Sequence, residues 1–470
     1  MRKRIKQILA GALCLGLAIS DKSALSLGGT NMDKVRVQAA ENVSDITIDG
    51  NNINRENKNG LTYKGFGLLT ANSTSDLLMD YKAEHPEKYV EMLQYLFGGS
   101  KPLMTHVKIE MGNDRNNSTG AESCTMRTED ETANVKRNAG FQLAADAKKI
   151  NPDIKISILR WNTPKWANTT EKQYKWYKNT IMAAYEAYGY MVDYVNPNRN
   201  EAWSDKTDTD NVKKFAKWIQ EENSDTIEDA KALELYKKIK FIVSDEAEMI
   251  AKTAVNTLYT DEEYKNAVAA VGWHYPYSVA NKNRGSADTI TKDDIIKVAD
   301  EMDKEVWNSE NQAVFSDSAF RPANNTTFKD DSGNVIAGSS GLGGTGSALE
   351  MGNYIIKSFV ESRRTHVIYQ PVIGAFYQGG QYSSKELIGA KDPWSGYVRY
   401  DAGTVILSHL SKFAVTGWEN EDNTAGIWRV IPQSSFCGED DANGDRRVVN
   451  STTGADSYMT LASPDNANVI

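Results

Sequence analysis

The sequence predicts a (β/α)8 TIM barrel with a smaller β-sandwich built from the two chain ends. Short apolar segments alternate with long amphipathic segments about eight times between residues 64 and 414. The chain has 470 residues, enough for one large α/β domain and a small companion. Beyond residue 414 the helical period stops. A doubly wound open sheet would give a similar alternation but usually has fewer units.

The predicted strands are short and apolar or aromatic, as expected for parallel strands buried on both faces. They cover residues 64–70, 105–111, 154–161, 192–195, 240–244, 268–275, 305–309 and 366–373. The segments between them carry apolar residues at the spacing of one helix face. These predicted helices cover residues 75–97, 132–150, 171–188, 211–222, 226–238, 246–258, 292–304 and 347–364, and residues 401–413 close the barrel as its last helix.

The sequences of the two chain ends predict structures that differ from the barrel. Met1-Arg-Lys-Arg-Ile5 is basic, and the apolar run after it is typical of a signal peptide and too short to span a bilayer. We interpret residues 1–40 as signal and processing sequence and expect a secreted protein without stable membrane insertion. Residues 41–63 and 415–470 contain short strand patterns, which predict an incomplete β-sandwich beside the barrel at 64–414.

Composition and motifs exclude several functions. The net charge of -9 disfavours nucleic acid as a partner. After signal removal only Cys124 and Cys437 remain, too few for a cysteine zinc site. Gly341-Leu-Gly-Gly-Thr-Gly346 matches a dinucleotide fingerprint but follows a loop rather than a strand. His106 and His366 fall in apolar strands and are interpreted as core residues. We therefore expect no metal and no organic cofactor.

Two glutamates lie where predicted strands meet their loops. Glu201 follows the fourth strand and Glu310 ends the seventh. A glutamate in such a position is seldom there for packing, and the strand ends of a barrel line one catalytic face. Glycoside hydrolysis requires a carboxyl pair of this kind, one as proton donor and one facing the anomeric carbon. The alternative is that either residue is an ordinary loop glutamate.

Several motifs around these glutamates occur in a specific order. They are Val107-Lys-Ile-Glu-Met-Gly112, Trp161-Asn-Thr-Pro-Lys-Trp166, Asn200-Glu201, Gly272-Trp-His-Tyr-Pro276, Trp307-Asn-Ser-Glu310 and Pro393-Trp-Ser-Gly396. With this series the chain resembles glycoside hydrolase family 59, the galactosylceramidase family, from about Gly65 to Trp418. The resemblance implies a barrel enzyme that hydrolyses β-galactosides with retention of configuration.

The resemblance also implies roles for individual residues. Glu201 would be the general acid/base and Glu310 the nucleophile, so the pocket is expected to raise one pKa and keep the other low. Asn200 would bind the sugar 2-hydroxyl. Other implied sugar contacts are Trp161, Ser118, Tyr369 and Tyr382. For His274 and Tyr275 a packing role and support of catalysis both remain open.

Departures from the family pattern concern the substrate. Asn311-Gln-Ala313 follows the nucleophile in place of an acidic residue and a serine, and the loop over residues 316–346 is long. From the sequence up to residue 470 we expect no counterpart of the lectin-like C-terminal domain of the family. The resemblance still implies galactose as the sugar, and the departures leave open whether it is attached to a glycolipid or to a glycan. The alternatives are a retaining β-glycosidase for another sugar or for internal bonds, and an inactive carbohydrate-binding barrel.

Overall fold

The computed structural model describes most of the barrel and parts of the C-terminal region. The described residues are 48, 50–71, 74–117, 120–201, 206–247, 251–274, 292–311, 348–374, 386–414, 416–418, 429–436, 457–463 and 468–470. The predictions for the signal segment, the 316–346 loop, Ser118, Tyr275 and Tyr382 lie outside them.

Eight parallel strands form a closed barrel, which confirms the predicted fold class. They are β1 (Gly65–Leu69), β2 (His106–Glu110), β3 (Lys155–Arg160), β4 (Tyr194–Arg199), β5 (Lys240–Ala247), β6 (Val268–His274), β7 (Glu305–Asn311) and β8 (Arg364–Tyr369). Each pairs with its sequence neighbour, and β1 pairs with β8 to close the ring. All the carboxyl ends therefore meet at one face, as the location of the glutamates required.

The described helices lie between the strands. They are α1 (Thr74–Glu84), α2 (Pro86–Phe97), α3 (Ala139–Ile150), α4 (Thr170–Tyr188), α5 (Lys206–Glu221), α6 (Ala230–Tyr236), α7 (Ala251–Thr260), α8 (Glu262–Ala267), α9 (Lys292–Asp300), α10 (Ala348–Ser362) and α11 (Gly403–Ser411). Among the described residues, no helix combines the length and the apolar character needed to cross a membrane.

Among the predicted helix boundaries that differ from the structure, two have identifiable reasons. The helix expected over 75–97 is two helices, because Pro86 starts α2 and lacks the N–H needed to continue α1. The helix expected over 246–258 begins at Ala251. Strand β5 instead continues to Ala247, through left-handed backbone at Ser244 and Asp245 with φ of 67° and 58°.

The amino-terminal end of the barrel is closed by an aromatic cluster. Trp307 lies 5.0 Å from the Tyr194 ring and 5.9 Å from the Trp418 ring, measured between centroids. His106 Nδ1 lies 2.8 Å from His366 Nε2, and both rings are fully buried. The prediction that these histidines are hydrogen-bonded core residues is confirmed. This closed floor leaves the opposite, carboxyl-terminal end of the barrel for a ligand.

Small sheets flank the barrel. Ile373–Gly374, Ile388–Asp392 and Tyr397–Tyr400 form one, and Arg429–Val430 pairs antiparallel with Leu461–Ala462 in another. Leu61, in a segment predicted as a strand, lies outside the described strands. Its carbonyl nevertheless accepts a hydrogen bond from Val430 N at 2.9 Å. This bond brings the two ends together, as the β-sandwich prediction requires; the predicted domain boundaries stay predictions.

Candidate active site

The two predicted glutamates meet at the carboxyl-terminal face of the barrel. Glu310 is the sixth residue of β7, and Glu201 lies two residues beyond β4. One carboxylate oxygen of each and a ring nitrogen of His274 all lie within 4.8 Å of one another. The Glu310 side chain is 2% exposed, whereas that of Glu201 is 34% exposed. One carboxyl is thus enclosed by protein and the other faces the opening.

Backbone geometry turns Glu201 toward the pocket. Its φ is 53°, a left-handed conformation that is uncommon for residues other than glycine. Its N–H donates to the Asp245 carbonyl at 3.1 Å, which ties the loop after β4 to strand β5. Left-handed backbone costs free energy, so its presence here is consistent with a constraint on where this side chain points.

His274, the last residue of β6, bridges the carboxyl groups. Its Nδ1 lies 3.2 Å from Glu201 Oε1 and 3.7 Å from Glu310 Oε2. Its Nε2 lies 2.9 Å from Asp245 Oδ1. Burial alone would lower the pKa of the ring, but the negative charge of Glu310 and hydrogen bonds to Asp245 and Glu201 raise it to about 10. At neutral pH His274 is therefore a cation with an N–H at each nitrogen.

Asp245 is paired with a lysine inside the barrel. Lys108 Nζ donates to both carboxylate oxygens of Asp245, at 2.8 and 2.7 Å, and to the Ser309 carbonyl at 3.1 Å. Both side chains of the ion pair are buried. Burial would raise the pKa of Asp245, but the charges and hydrogen bonds of Lys108 and His274 hold it well below its usual range. Asp245 is therefore ionised throughout the physiological range.

The Glu310 carboxyl departs from the expected low pKa. Burial and the charge of Glu201 raise its pKa, against the lowering effects of His274, Lys108 and a hydrogen bond from Gln370. The physical reason is that two carboxyl groups so close together resist ionising at once. Lys108 and His274 provide two positive charges, so the cluster is electrically neutral when Asp245 and one of the two glutamates are ionised. The glutamate pair then holds one proton.

Asn200 and Trp161 also lie at this face. With the Asn200 amide oriented so that its oxygen faces the indole, Trp161 Nε1 donates to that oxygen at 3.1 Å. The Asn200 nitrogen then donates to the carbonyl and to Oδ2 of Asp245, each at 3.1 Å. Asn200 is buried and Trp161 is partly exposed. The two predicted sugar-binding residues are therefore linked to each other and to Asp245.

Tyr369 lies elsewhere. Its side chain is fully buried, and its ring lies 6.2 Å from that of Phe66 in the main hydrophobic core. Its neighbour Gln370 reaches the site, since Nε2 donates to Glu310 Oε1 at 2.8 Å. Successive side chains of a strand point to opposite faces, so only one of these two can face the pocket. This placement argues against Tyr369 as a sugar contact and identifies Gln370 as a partner of Glu310.

Sequence reasoning missed Lys108, Asp245 and Gln370 as members of the site. Lys108 carried a usable signal, because a charge inside an otherwise apolar strand is seldom buried without a partner. Asp245 did not, because it lies just beyond the predicted end of its strand at residue 244 and stands between two polar residues. Lys108 stands between Val107 and Ile109 and is 1% exposed. Gln370 follows β8 directly and carried no comparable signal.

The protonation of His274 bears on whether this cluster can hold a metal. A cation would need lone pairs from the glutamates and from the imidazole. At neutral pH the ring is protonated and both nitrogens are donors, so a metal could bind the ring only after it loses a proton. The arrangement is suited instead to proton transfer between the carboxyl groups and a ligand placed above them.

Comparisons with known proteins bear on the family of this chain. The sequence model for glycosyl hydrolase family 59 matches residues 63–412, which confirms the predicted resemblance. The chain is 24% identical over 370 residues to galactocerebrosidase of Danio rerio, covering 76% of this chain and 46% of that protein. It is 25% identical over 377 residues to galactocerebrosidase of Mus musculus, covering 76% and 44%. The chain thus spans about half the length of these curated relatives.

Solved structures share the fold. SrfJ from Salmonella typhimurium superposes with a TM-score of 0.53 at 14% identity, over 86% of this chain and 81% of that one. The endo-β1,6-glucanase BT3312 gives a TM-score of 0.50 at 15% identity, over 77% and 78%. At such identities the likeness supports the barrel architecture alone.

Proposed function

Because the chain belongs to glycosyl hydrolase family 59, we propose that it is a secreted retaining β-galactosidase that removes terminal β-galactosyl residues from a glycolipid or glycan. The observation that carries this proposal is the pair Glu201 and Glu310, with one oxygen of each within 4.8 Å of the other. Carboxyl groups in retaining enzymes lie about 5 to 5.5 Å apart, whereas inverting enzymes keep roughly 6.5 to 9.5 Å for a water molecule.

The different surroundings of the two carboxyl groups support different roles. Glu310 is enclosed by β7, Gln370 and His274, so its oxygen is held in place for attack on the anomeric carbon. Glu201 is partly exposed at the opening, where the leaving oxygen and later a water molecule arrive. One proton on the pair would make the cluster of Lys108, Asp245, His274 and the two glutamates electrically neutral. With that proton on Glu201 and the charge on Glu310, the site is ready for the first step.

Galactose as the sugar is supported by the relatives, whose name galactocerebrosidase includes this sugar. Trp161 gives the site a partly exposed aromatic face, which suits a sugar. The aglycone is proposed only as a class, a glycolipid or a glycan.

A panel of aryl β-glycosides, with the released anomer followed by NMR, tests the mechanism and the sugar. We expect the parent to release β-galactose and to prefer galactosides. Glu201→Gln and Glu310→Gln should lower kcat by about 10²-fold or more, because each removes a group that takes part in a bond-making step. Glu305→Gln is the matched control: it alters a buried glutamate of the same strand, at the opposite end of the barrel.

Azide distinguishes the two roles. With an activated aryl galactoside, azide should rescue Glu201→Ala and give the β-glycosyl azide, since the covalent intermediate still forms. With Glu310→Ala it should attack directly and give the α-azide. Release of α-galactose by the parent, or no turnover by folded parent protein, would reject the retaining mechanism or the enzymatic function, respectively.

Secretion is proposed from the basic and apolar residues at the amino terminus. Expression of the full chain in a bacterial host, followed by amino-terminal sequencing of the product in the periplasm or medium, tests it. Protein that stays in the cytoplasm with Met1 intact would contradict it.

A further inference from the structure

Charged groups of alternating sign cross the upper part of the barrel from β2 to β7. Lys108 on β2 donates to Asp245 on β5. Asp245 lies 2.9 Å from His274 Nε2 on β6. The opposite nitrogen of the ring faces Glu201, at 3.2 Å, and Glu310 on β7, at 3.7 Å. Lys108 and Asp245 are distant from the glutamates in sequence, but act on them through one imidazole.

The backbone is shaped to make these contacts. Ser244 and Asp245 adopt left-handed conformations, and the pairing of β5 with β6 shifts register between Ser244 and Glu246. This irregularity directs the Asp245 side chain into the barrel. On β6, Gly272 makes room: a Cβ there would lie 3.1 Å from Asp245 Oδ1. The left-handed backbone and the register shift both occur where Asp245 approaches His274.

We propose that Asp245, which Lys108 keeps ionised, is a positioning residue that holds His274 as a cation, and that this cation serves both halves of the double displacement by pairing with whichever glutamate is ionised. This inference rests on the proposed function and deepens it. Asp245 fixes the ring through Nε2, which leaves Nδ1–H directed between the two carboxyl groups.

In the first half, a Glu310 oxygen bonds to the anomeric carbon while the glycosidic carbon–oxygen bond breaks. Glu201 gives its proton to the departing oxygen. The products are an uncharged Glu310 ester, an ionised Glu201 and the alcohol. The negative charge has moved from Glu310 to Glu201, and both lie within reach of the same His274 Nδ1–H.

In the second half, the oxygen of a water molecule bonds to the anomeric carbon and the bond to Glu310 breaks. Glu201 takes a proton from that water, and Glu310 regains its charge. Glu201 must be ionised to act as base, and the adjacent cation favours this state. A neutral imidazole would stabilise either carboxylate less: it would carry no charge to attract Glu310 at 3.7 Å, and its hydrogen bond to Glu201 would be weaker.

The charged groups facing His274 from the described elements account for its state. Asp245 faces it from β5, Glu201 from the loop after β4 and Glu310 from β7. Lys108 from β2 acts through Asp245. Substituting Asp245 by asparagine keeps the shape of the side chain but removes the negative charge at Nε2. Burial of the ring, which disfavours its charged form, is then opposed by fewer negative charges, so the pKa of His274 falls.

The test uses the full chain with Asp245→Asn and Lys108→Met, and Glu305→Gln and Lys64→Met as matched controls. Lys64 and Glu305 form a buried ion pair at the opposite end of the barrel, with Nζ 3.2 Å from Oε1. NMR titration of the ring nitrogens, assigned with His274→Gln among the five histidines, reports the His274 charge without requiring activity. Rapid-mixing kinetics with an activated aryl galactoside report the two chemical steps separately.

We expect the pKa of His274 to fall from about 10 by roughly 1 to 3 units in Asp245→Asn. Both steps should slow by about 10²-fold, and the alkaline limb of the pH profile should move to lower pH. The controls should lose stability but change neither the His274 titration nor the ratio of the two rates. An unchanged pKa of His274 in Asp245→Asn, or loss of only one step, would overturn the inference. If the parent hydrolyses no glycoside, the proposed function fails, while the NMR titration still decides the charge relation.

Discussion

Substitution of Gly272 by alanine should disturb the candidate site without removing any of its groups. Gly272 lies on β6, two residues before His274. An added Cβ would lie 2.7 Å from Ser309 Oγ on β7, and 3.1 Å from both Cα and Oδ1 of Asp245 on β5. The first distance is well inside van der Waals contact, so a neighbouring strand or side chain must move.

The cost can be estimated from this geometry. One extra methyl group in a close-packed interior typically destabilises by about 1 to 3 kcal/mol. Asp245 Oδ1 also accepts from His274 Nε2 at 2.9 Å, so displacement of Asp245 changes the position of the ring. A misplacement of about 1 Å near reacting groups can cost about 10²-fold in rate. We therefore expect lower stability and a lower kcat together, with KM less affected.

Urea unfolding followed by tryptophan fluorescence, and hydrolysis of an aryl β-galactoside, measure the two effects. Gly352→Ala is a matched control, because its Cβ would lie 3.5 Å from Ile406 Cγ2, an ordinary contact, inside helix α10. That substitution should stabilise by up to about 1 kcal/mol through helix propensity and leave kcat unchanged. If Gly272→Ala is as stable and as active as the parent, the close packing inferred around Asp245 is wrong.

Two further predictions concern pH. Gln370→Leu removes a hydrogen bond that lowers the pKa of Glu310, so the acid limb of kcat/KM should move to higher pH; an unchanged limb would contradict a nucleophilic Glu310. Burial lowers the pKa of His366 from 6.5 to about 3. Below pH 6.5 the unfolded chain therefore binds a proton that the folded ring excludes, and the free energy of unfolding decreases as the pH is lowered. In urea titrations, His366→Gln should weaken the pH dependence of the free energy of unfolding between pH 6.5 and about 3. The pH dependence that remains is due to His106, whose pKa is also lowered by burial.

The barrel could be predicted from sequence because buried parallel strands leave a simple pattern of apolar segments. Strand β4 shows where that pattern fails. Its predicted end at Val195 was too early, since the observed strand continues through Asn-Pro-Asn to Arg199. Polar residues and a proline have low strand propensity, but pairing with β3 continues through a register shift after Ile158. Tertiary pairing thus overrode the local preference.

The site was predicted only where one residue carried its own signal. Glu201 and Glu310 each end or follow an apolar strand, which is visible locally. The contacts that connect His274 to Asp245 and Lys108 are not visible in the local sequence. Lys108 and Asp245 are separated by 137 positions, and their contact depends on strand register and on left-handed backbone. Likewise, the choice between Tyr369 and Gln370 depends on which face of β8 points inward.

A comparison of two buried ion pairs among the described barrel residues shows why position decides function. At the floor, Glu305 pairs with Lys64 and accepts a hydrogen bond from Trp307 Nε1 at 2.7 Å, and Lys64 Nζ lies 4.4 Å from the centroid of the Trp418 ring. At the open end, the Lys108 and Asp245 pair continues to His274, which faces the glutamates. A buried ion pair often gives little net stability compared with apolar residues of the same volume. Fold stability alone therefore gives a weak reason for charges at the open end, whereas control of the His274 charge gives a direct one.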